Sequence, residues 1–195
     1  MAELPLNEPV LDYAPGSSER AQLRAEIARQ KSENPRLPLV IAGARIETGK
    51  SVAMTAPHCH TLALATRVEG DAGHVDRAIA AALAAKPGWA ATPLGERAAI
   101  FDRAAELLAG SFRQRLNAAT LLGQSKTPHQ AEIDAACELA DFLRFNSHYA
   151  RELEQLPLRS PPGVSNRVEL RPLDGFVLAV TPFNFTAIAG NLVAA

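Results

Sequence analysis

Asn184 has the most specific chemical prospect in this chain. It lies in Thr181-Pro182-Phe183-Asn184-Phe185, between the apolar run Phe176–Val180 and a stretch of small residues from Ala187 onward. A side-chain amide at the start of a helix offers an N–H donor, and the adjoining backbone N–H groups and helix dipole favour negative charge at the same place. That combination suits stabilisation of an oxyanion. It equally suits an N-cap, a role in which Asn is strongly preferred, and the spacing leaves both open. Glu138 is the second candidate, four residues before Phe142 on an aromatic-flanked helical stripe. It is read either as a site for a cationic group on a substrate or as a solvated or salt-bridged helix glutamate, the usual fate of that residue type.

His58-Cys59-His60 invites a metal reading, but three ligand types in immediate succession lack the separated pairs of an ordinary zinc site. A turn before the strand at Leu62 is the expectation, with no metal. Cys59 and Cys137 are too few for a disulfide framework, and neither has a neighbourhood in sequence that would lower its pKa; both are read as structural or incidental. No G-x-G-x-x-G, P-loop or G-x-S-x-G motif is present.

These residues need elements to hold them. Five consecutive apolar residues, Phe176 to Val180, predict a strand covered on both faces, as in a parallel sheet. The small-residue run with Ile188, Leu192 and Val193 predicts a helix packed on that sheet. Thr181 to Thr186 then forms a strand-to-helix turn, where open α/β sheets place ligands. Upstream, residues 1–18 read as an extended arm, and Ser17 or Ser18 caps a helix over Glu19–Gln30 with Leu23 and Ile27 on one side. Residues 39–69 predict an antiparallel meander whose last strand buries Leu62, Leu64, Thr66 and Val68.

Four helices are expected next. Asp71 or Gly73 opens the first, with Val75, Ile79, Ala82 and Leu83 facing the core and Pro87-Gly88 closing it. Thr92 caps the second, with Pro93 at its first position and Ile100, Ala104, Leu107 and Leu108 inward until Gly110. Ser111 starts the third, which ends near Gly123. Thr127-Pro128-His129-Gln130 is a capping box for the fourth, which runs to about Glu154. Ile133, Ala136, Cys137, Ala140 and Leu143 make one stripe of it; Glu138, Phe142, Phe145 and Tyr149 make another. Pro157, Pro161, Pro162 and Gly163 lead into a projecting hairpin or crossing strand before Asp174-Gly175.

With 47% hydrophobic and 21% charged residues and a net charge of −1, the 195-residue chain has a soluble globular composition. It offers no electrostatic case for nucleic acid or an anionic membrane. No apolar stretch reaches the roughly 18 residues of a membrane span, and Met1–Val10 lacks the marks of a signal or transit peptide, so a cytoplasmic protein is expected. A helix-like pattern that stops uncapped at Asn191–Ala195, after only one strand of a parallel sheet, predicts a truncated chain.

Several stretches together resemble a known family. VDRAIAAALAAKPGWAATPLGERAAIFDRAAELL (Val75–Leu108) resembles the N-terminal helical region of the aldehyde dehydrogenase superfamily, and TPFNF its catalytic-asparagine loop. NEPVLDYAPGSSER, RLNAATLLGQSKTPHQAEIDAACELADFLRFNSHYARELE and DGFVLAVTPFNFTAIAGNLVAA narrow the resemblance to its 1-pyrroline-5-carboxylate dehydrogenases. The implied fold is α/β, the N-terminal part of an aldehyde dehydrogenase fold. Residues 1–36 would be an arm and helix, 37–154 part of the cofactor domain, 155–174 the start of an oligomerisation hairpin, and 175–195 the first strand, loop and helix of the NAD-binding sheet.

The implied activity is NAD-dependent oxidation of L-glutamate γ-semialdehyde to L-glutamate in proline catabolism, with a small-molecule aldehyde as substrate and a homo-oligomer as the full-length form. On this resemblance Asn184 stabilises the oxyanion, Thr181, Pro182 and Phe183 contact the cofactor, and Glu138 and Phe142 contact the substrate. The family's nucleophilic cysteine and general-base glutamate match nothing in this chain, so the chain alone is expected to be inactive. Cys59 departs from the pattern, where the related motif more usually has an acidic residue. Two other readings stay open: a non-catalytic interaction fragment, and an aldehyde dehydrogenase for another substrate.

Overall fold

The computed structural model describes residues 4–156, 158–191 and 193. Ser17 caps α1 (Ser18–Ser32), its hydroxyl accepting from the Arg20 N–H. Leu23 of α1 is buried against Tyr13 and Ala118, with Ile27 packed at the edge. The arm before it is laid along the helical layer, turning through the left-handed conformation at Tyr13 and Gly16.

The β region divides where one meander was expected. β1 (Arg36–Leu37) pairs in parallel with β5 (Cys59–Val68), which pairs antiparallel with β4 (Ser51–Ala56), while β2 (Leu39–Ile41) and β3 (Ala44–Ile46) form a separate hairpin. Pro38 between β1 and β2 has no N–H to give a ladder, which accounts for the break. The β2–β3 turn, Ala42-Gly43, has positive φ at both residues, the conformation a two-residue hairpin demands. On β5, Val68 and Ala65 are buried; Leu62 and Leu64 are only half-buried, because a groove rather than a packed layer lies over Leu64.

α2 (Ala72–Ala91) opens with a capping box between Asp71 and His74. It continues through Pro87 instead of ending there. Proline's fixed φ is compatible with a helix, and its missing N–H removes a single bond. The side expected to face the core is uncovered: α2 has no buried residue, and Val75 is 58% exposed. Thr92 belongs to the end of α2, its hydroxyl donating to the Gly88 carbonyl at 2.9 Å, and α3 (Leu94–Ala109) starts after Pro93 without a side-chain cap. The inward face of α3 is Ala98, Phe101, Ala105 and Leu108, whereas Ile100 is 54% exposed.

α4 (Arg113–Gln124) ends at Ser125 in the left-handed conformation. Thr127 and Gln130 then form the expected capping box on α5 (Pro128–Ala131), and the chain stays helical to Glu154. Its middle is not α-helical. Glu132–Cys137 form a π-helical segment before α6 (Glu138–Glu154), a widened turn that sequence periodicity does not announce. The main core joins α3, the π segment and α6 through Ala105, Ala135, Leu139, Ala140 and Leu143, and α7 (Ile188–Asn191) closes it with Ile188 beside Ala187.

Residues 158–175 form no strand, so the expected hairpin is absent from the described residues. Phe176–Val180 is neither helix nor strand and pairs with no described strand, and Val180 is 87% exposed. A parallel strand buried on both faces needs neighbours on either side, and none of the described residues supplies them. Leu192 and Pro157, to which expectations were also attached, lie outside the described residues. No helix among them is long and apolar enough to cross a membrane.

Candidate functional site

The loop Thr181–Asn184 is exposed, with a turn at Phe183-Asn184. Its main chain is held from the end of α4. The Gln124 amide, oriented so that its oxygen faces the loop, accepts from the Thr186 N–H at 2.7 Å and the Phe185 N–H at 3.0 Å, and donates to the Asn184 carbonyl at 3.0 Å. Lys126 Nζ donates to the same carbonyl at 2.8 Å and stands 4.5 Å from the centroid of the Phe185 ring. The side-chain amide of Asn184 has no hydrogen-bond partner among the described residues, so no capping bond to α7 is present. A fixed main chain carrying a free amide donor is the arrangement an oxyanion site requires.

Thr181, Pro182 and Phe183 are exposed, Phe183 at 95%. The main-chain groups of Thr181 bond to no other described residue. An open peptide edge beside a solvent-facing aromatic ring fits one wall of a dinucleotide site.

Glu138 and Phe142 line a separate cleft of about 440 Å³ with Asn7, Asp141, Phe145 and Tyr149. Burial pushes the Glu138 carboxyl above its ordinary value, and the charges of Asp134 and Asp141 act the same way against Lys126. Glu138 forms no ion pair among the described residues, whereas Asp141 is occupied by the Asn7 amide at 2.8 Å and the Glu8 N–H at 2.6 Å. A carboxylate among aromatic rings suits a cationic group. None of residues 181–184 lines this cleft, so the structure does not place the two sets of candidate residues on one wall. Their link is Lys126, which holds the Asn184 carbonyl and also pairs with Asp134 of the π segment.

Sequence reasoning missed Lys126 and Gln124. The available signal was an ammonium next to the N-cap Thr127, against the preference of a helix N-terminus for negative charge. It also missed a buried charge cluster. Glu132, 0% exposed, accepts from Arg113, from the Asn117 amide at 2.7 Å, from the Tyr13 hydroxyl at 2.7 Å and from the Leu11 N–H at 2.8 Å. Arg113 also pairs with Glu8 at 2.6 Å, which pairs in turn with Arg144 at 2.7 Å. Burial, reinforced by Glu132, pushes the Tyr13 hydroxyl up to about 12.

Cys137 is buried against this cluster. Desolvation and the Glu132 charge push its thiol up to about 12, the opposite of what a nucleophile needs. Cys59 is exposed on β5, and here the local reading needs correction: a hydrogen bond with Thr61 holds its thiol below the ordinary value. His58 sits in the β4–β5 turn with Nδ1 2.8 Å from the Ser125 hydroxyl. Among the described residues no three His, Cys, Asp or Glu side chains are grouped closely enough to hold a metal ion.

The model of the aldehyde dehydrogenase family matches residues 45–194. The delta-1-pyrroline-5-carboxylate dehydrogenase of Agaricus bisporus is 52% identical over 95% of this chain and 34% of its own length. The human enzyme of that name, described as mitochondrial, is 44% identical over 97% of this chain and 34% of its own length. A crystal structure of the Mycobacterium tuberculosis delta-pyrroline-5-carboxylate dehydrogenase bound with NAD superposes with a TM-score of 0.94 at 50% identity, covering 99% of this chain and 36% of that one. The chain thus spans about a third of the length of the relatives it matches.

Proposed function

The chain belongs to the aldehyde dehydrogenase family, and we propose that it forms part of an NAD-dependent dehydrogenase that oxidises L-glutamate γ-semialdehyde to L-glutamate in proline catabolism. In this reading Asn184 donates its side-chain N–H to the oxygen of the aldehyde as that oxygen gains charge. The observation that carries it is the unpartnered Asn184 amide on a loop whose carbonyl is pinned by Lys126 and Gln124. Thr181, Pro182 and Phe183 form one wall for NAD, which when bound supplies the hydride acceptor. Glu138, which forms no ion pair among the described residues, receives the ammonium end of the substrate, and Phe142 lines the approach.

Neither cysteine of this chain is the nucleophile: Cys137 is buried with a raised pKa, and Cys59 borders neither cleft. Purified alone, the chain therefore forms no NADH from glutamate γ-semialdehyde. A chimera in which it replaces the matching segment of the Mycobacterium tuberculosis relative forms NADH, and Asn184→Ala in that chimera lowers kcat by about 10²–10³-fold. A folded chimera without turnover, or an unchanged kcat in the variant, would reject the reading.

The homo-oligomer and the cytoplasmic location belong to the same proposal. The first is supported by exposed Leu170 and Leu173 in the segment that resembles an oligomerisation element. Recovery of the protein from a mitochondrial matrix fraction would overturn the location. A second reading, a non-catalytic fragment that joins a longer partner, is favoured by the bare apolar segment Phe176–Val180; co-elution with a full-length relative after co-expression tests it.

A further inference from the structure

Among the described residues no sheet lies beneath the loop that carries Asn184: Phe176–Val180 pairs with no described strand, and the main chain of Thr181 bonds to no described residue. Its polar hold among the described residues is confined to two side chains. Gln124 takes the Phe185 and Thr186 N–H groups, and both Gln124 and Lys126 donate to the Asn184 carbonyl. Lys126 adds the face of the Phe185 ring, and its ammonium is itself anchored on Asp134 in the π segment. The side chains of Lys126 and Asp134 are 17% and 25% exposed, so their contact is sheltered compared with the fully solvated pairs whose energy is small.

We propose that Lys126, with Gln124, is a positioning residue that fixes the backbone of Asn184 and so aims its side-chain amide. The proposal rests on the reading of Asn184 as an oxyanion donor and extends it from the donor to the groups that hold the donor still. Preorganisation is what makes such a donor effective, because a dipole that must reorient during the reaction loses much of its advantage. The design also accounts for an otherwise unfavourable placement, a cation adjoining the N-terminus of α5. Asp134 and the Asn184 carbonyl offset that cost.

The test uses the 195-residue chain and reads the loop directly. Amide hydrogen exchange at Phe185 and Thr186, and the side-chain NH₂ signals of Asn184 by NMR, are compared in wild type, Lys126→Met, Lys126→Arg and Asp134→Asn. Lys126→Met is expected to speed exchange at both amides by about 10-fold or more: the Asn184 carbonyl beside them loses its charged donor, and the Gln124 bonds to the two N–H groups are left to hold the loop alone. It should also broaden or shift the Asn184 NH₂ signals. Exchange in α3 should stay unchanged. Asp134→Asn should fall between, and Lys126→Arg, which keeps the charge and the ring contact, should recover part of the protection. Unchanged exchange at Phe185 and Thr186 overturns the proposal, and so does loosening spread evenly over the whole chain. Neither readout depends on turnover. An inactive chimera with a Lys126-sensitive loop would reject the dehydrogenase reading alone, whereas an active one with an insensitive loop would reject this proposal alone.

Discussion

At the residue scale, Glu132 shows how much can depend on one carboxylate withdrawn from water. Burial alone would raise its pKa, but hydrogen bonds from Arg113, the Leu11 N–H and Tyr13, with the Arg113 charge, outweigh it and hold the carboxyl below its ordinary value of 4.5. A group whose folded pKa is depressed contributes stability that is present above its unfolded value and lost as pH falls through the folded one. Glu132→Gln is accordingly expected to cost about 3 kcal/mol at neutral pH, the lower end for a broken buried pair because Glu8 still faces Arg113. The variant should also lose less than wild type between pH 7 and pH 3. Urea melts at both pH values measure this, and parallel losses in the two proteins would reject it. The sequence offered no hint of the cluster, whose partners Leu11, Tyr13, Arg113, Asn117 and Glu132 come from three separated stretches. Asn184 stood out because its signal, a Thr-Pro-Phe-Asn-Phe turn after an apolar run, lies in one short stretch, whereas Gln124 and Lys126, which hold its carbonyl, are distant in the chain and were missed.

At the element scale, alanines sit at the close approach of α3 to α6 and the π segment: Ala105 and Ala140 are fully buried, and Ala135 nearly so, beside Leu139 and Leu143. Small side chains let two helices approach closely and leave no room for larger ones. Ala140→Leu should therefore destabilise the chain by about 1–3 kcal/mol despite adding apolar surface. A thermal or denaturant melt no lower than wild type would contradict it. Elements defined by local chemistry were readable beforehand. The Thr127–Gln130 capping box and the Ser17 cap need only three or four residues to work, and they sit where their residue types place them. Elements defined by distant partners were not. Thr92 fits an N-cap as well as it fits the hydroxyl that closes α2, Pro87 breaks helices in general but not this one, and the inward face of α3 is set by α6.

At the scale of the whole molecule, the segment Phe176–Val180 is apolar and has no ladder with any described residue, with Phe176, Val177, Leu178 and Val180 all exposed. Such a strip is a template for pairing with another chain. The isolated chain is expected to self-associate through it, and Leu178→Lys with Val180→Lys to abolish that while altering stability by no more than about 0.5 kcal/mol, as for other exposed positions. Light scattering over a concentration series decides this; a wild-type chain monodisperse throughout would refute it. The fold class was legible because a β-rich block, a run of helices and the apolar run Phe176–Val180 each have a distinct local pattern, completed by the family resemblance, but the state of this strip was not, since an apolar pentapeptide carries no record of whether its neighbours are present. The π segment Glu132–Cys137 bears on the molecule as a whole in a different way. Each residue of a helix advances about 100° around the axis, so the widened turn acts as a phase setting between α5 and α6. Glu132 faces the arm and α4, Asp134 faces Lys126, and Glu138 and Phe142 face their cleft. Deleting one residue there would rotate one group of these side chains against the others by most of a quadrant or more, so the length of this stretch is as constrained as its composition.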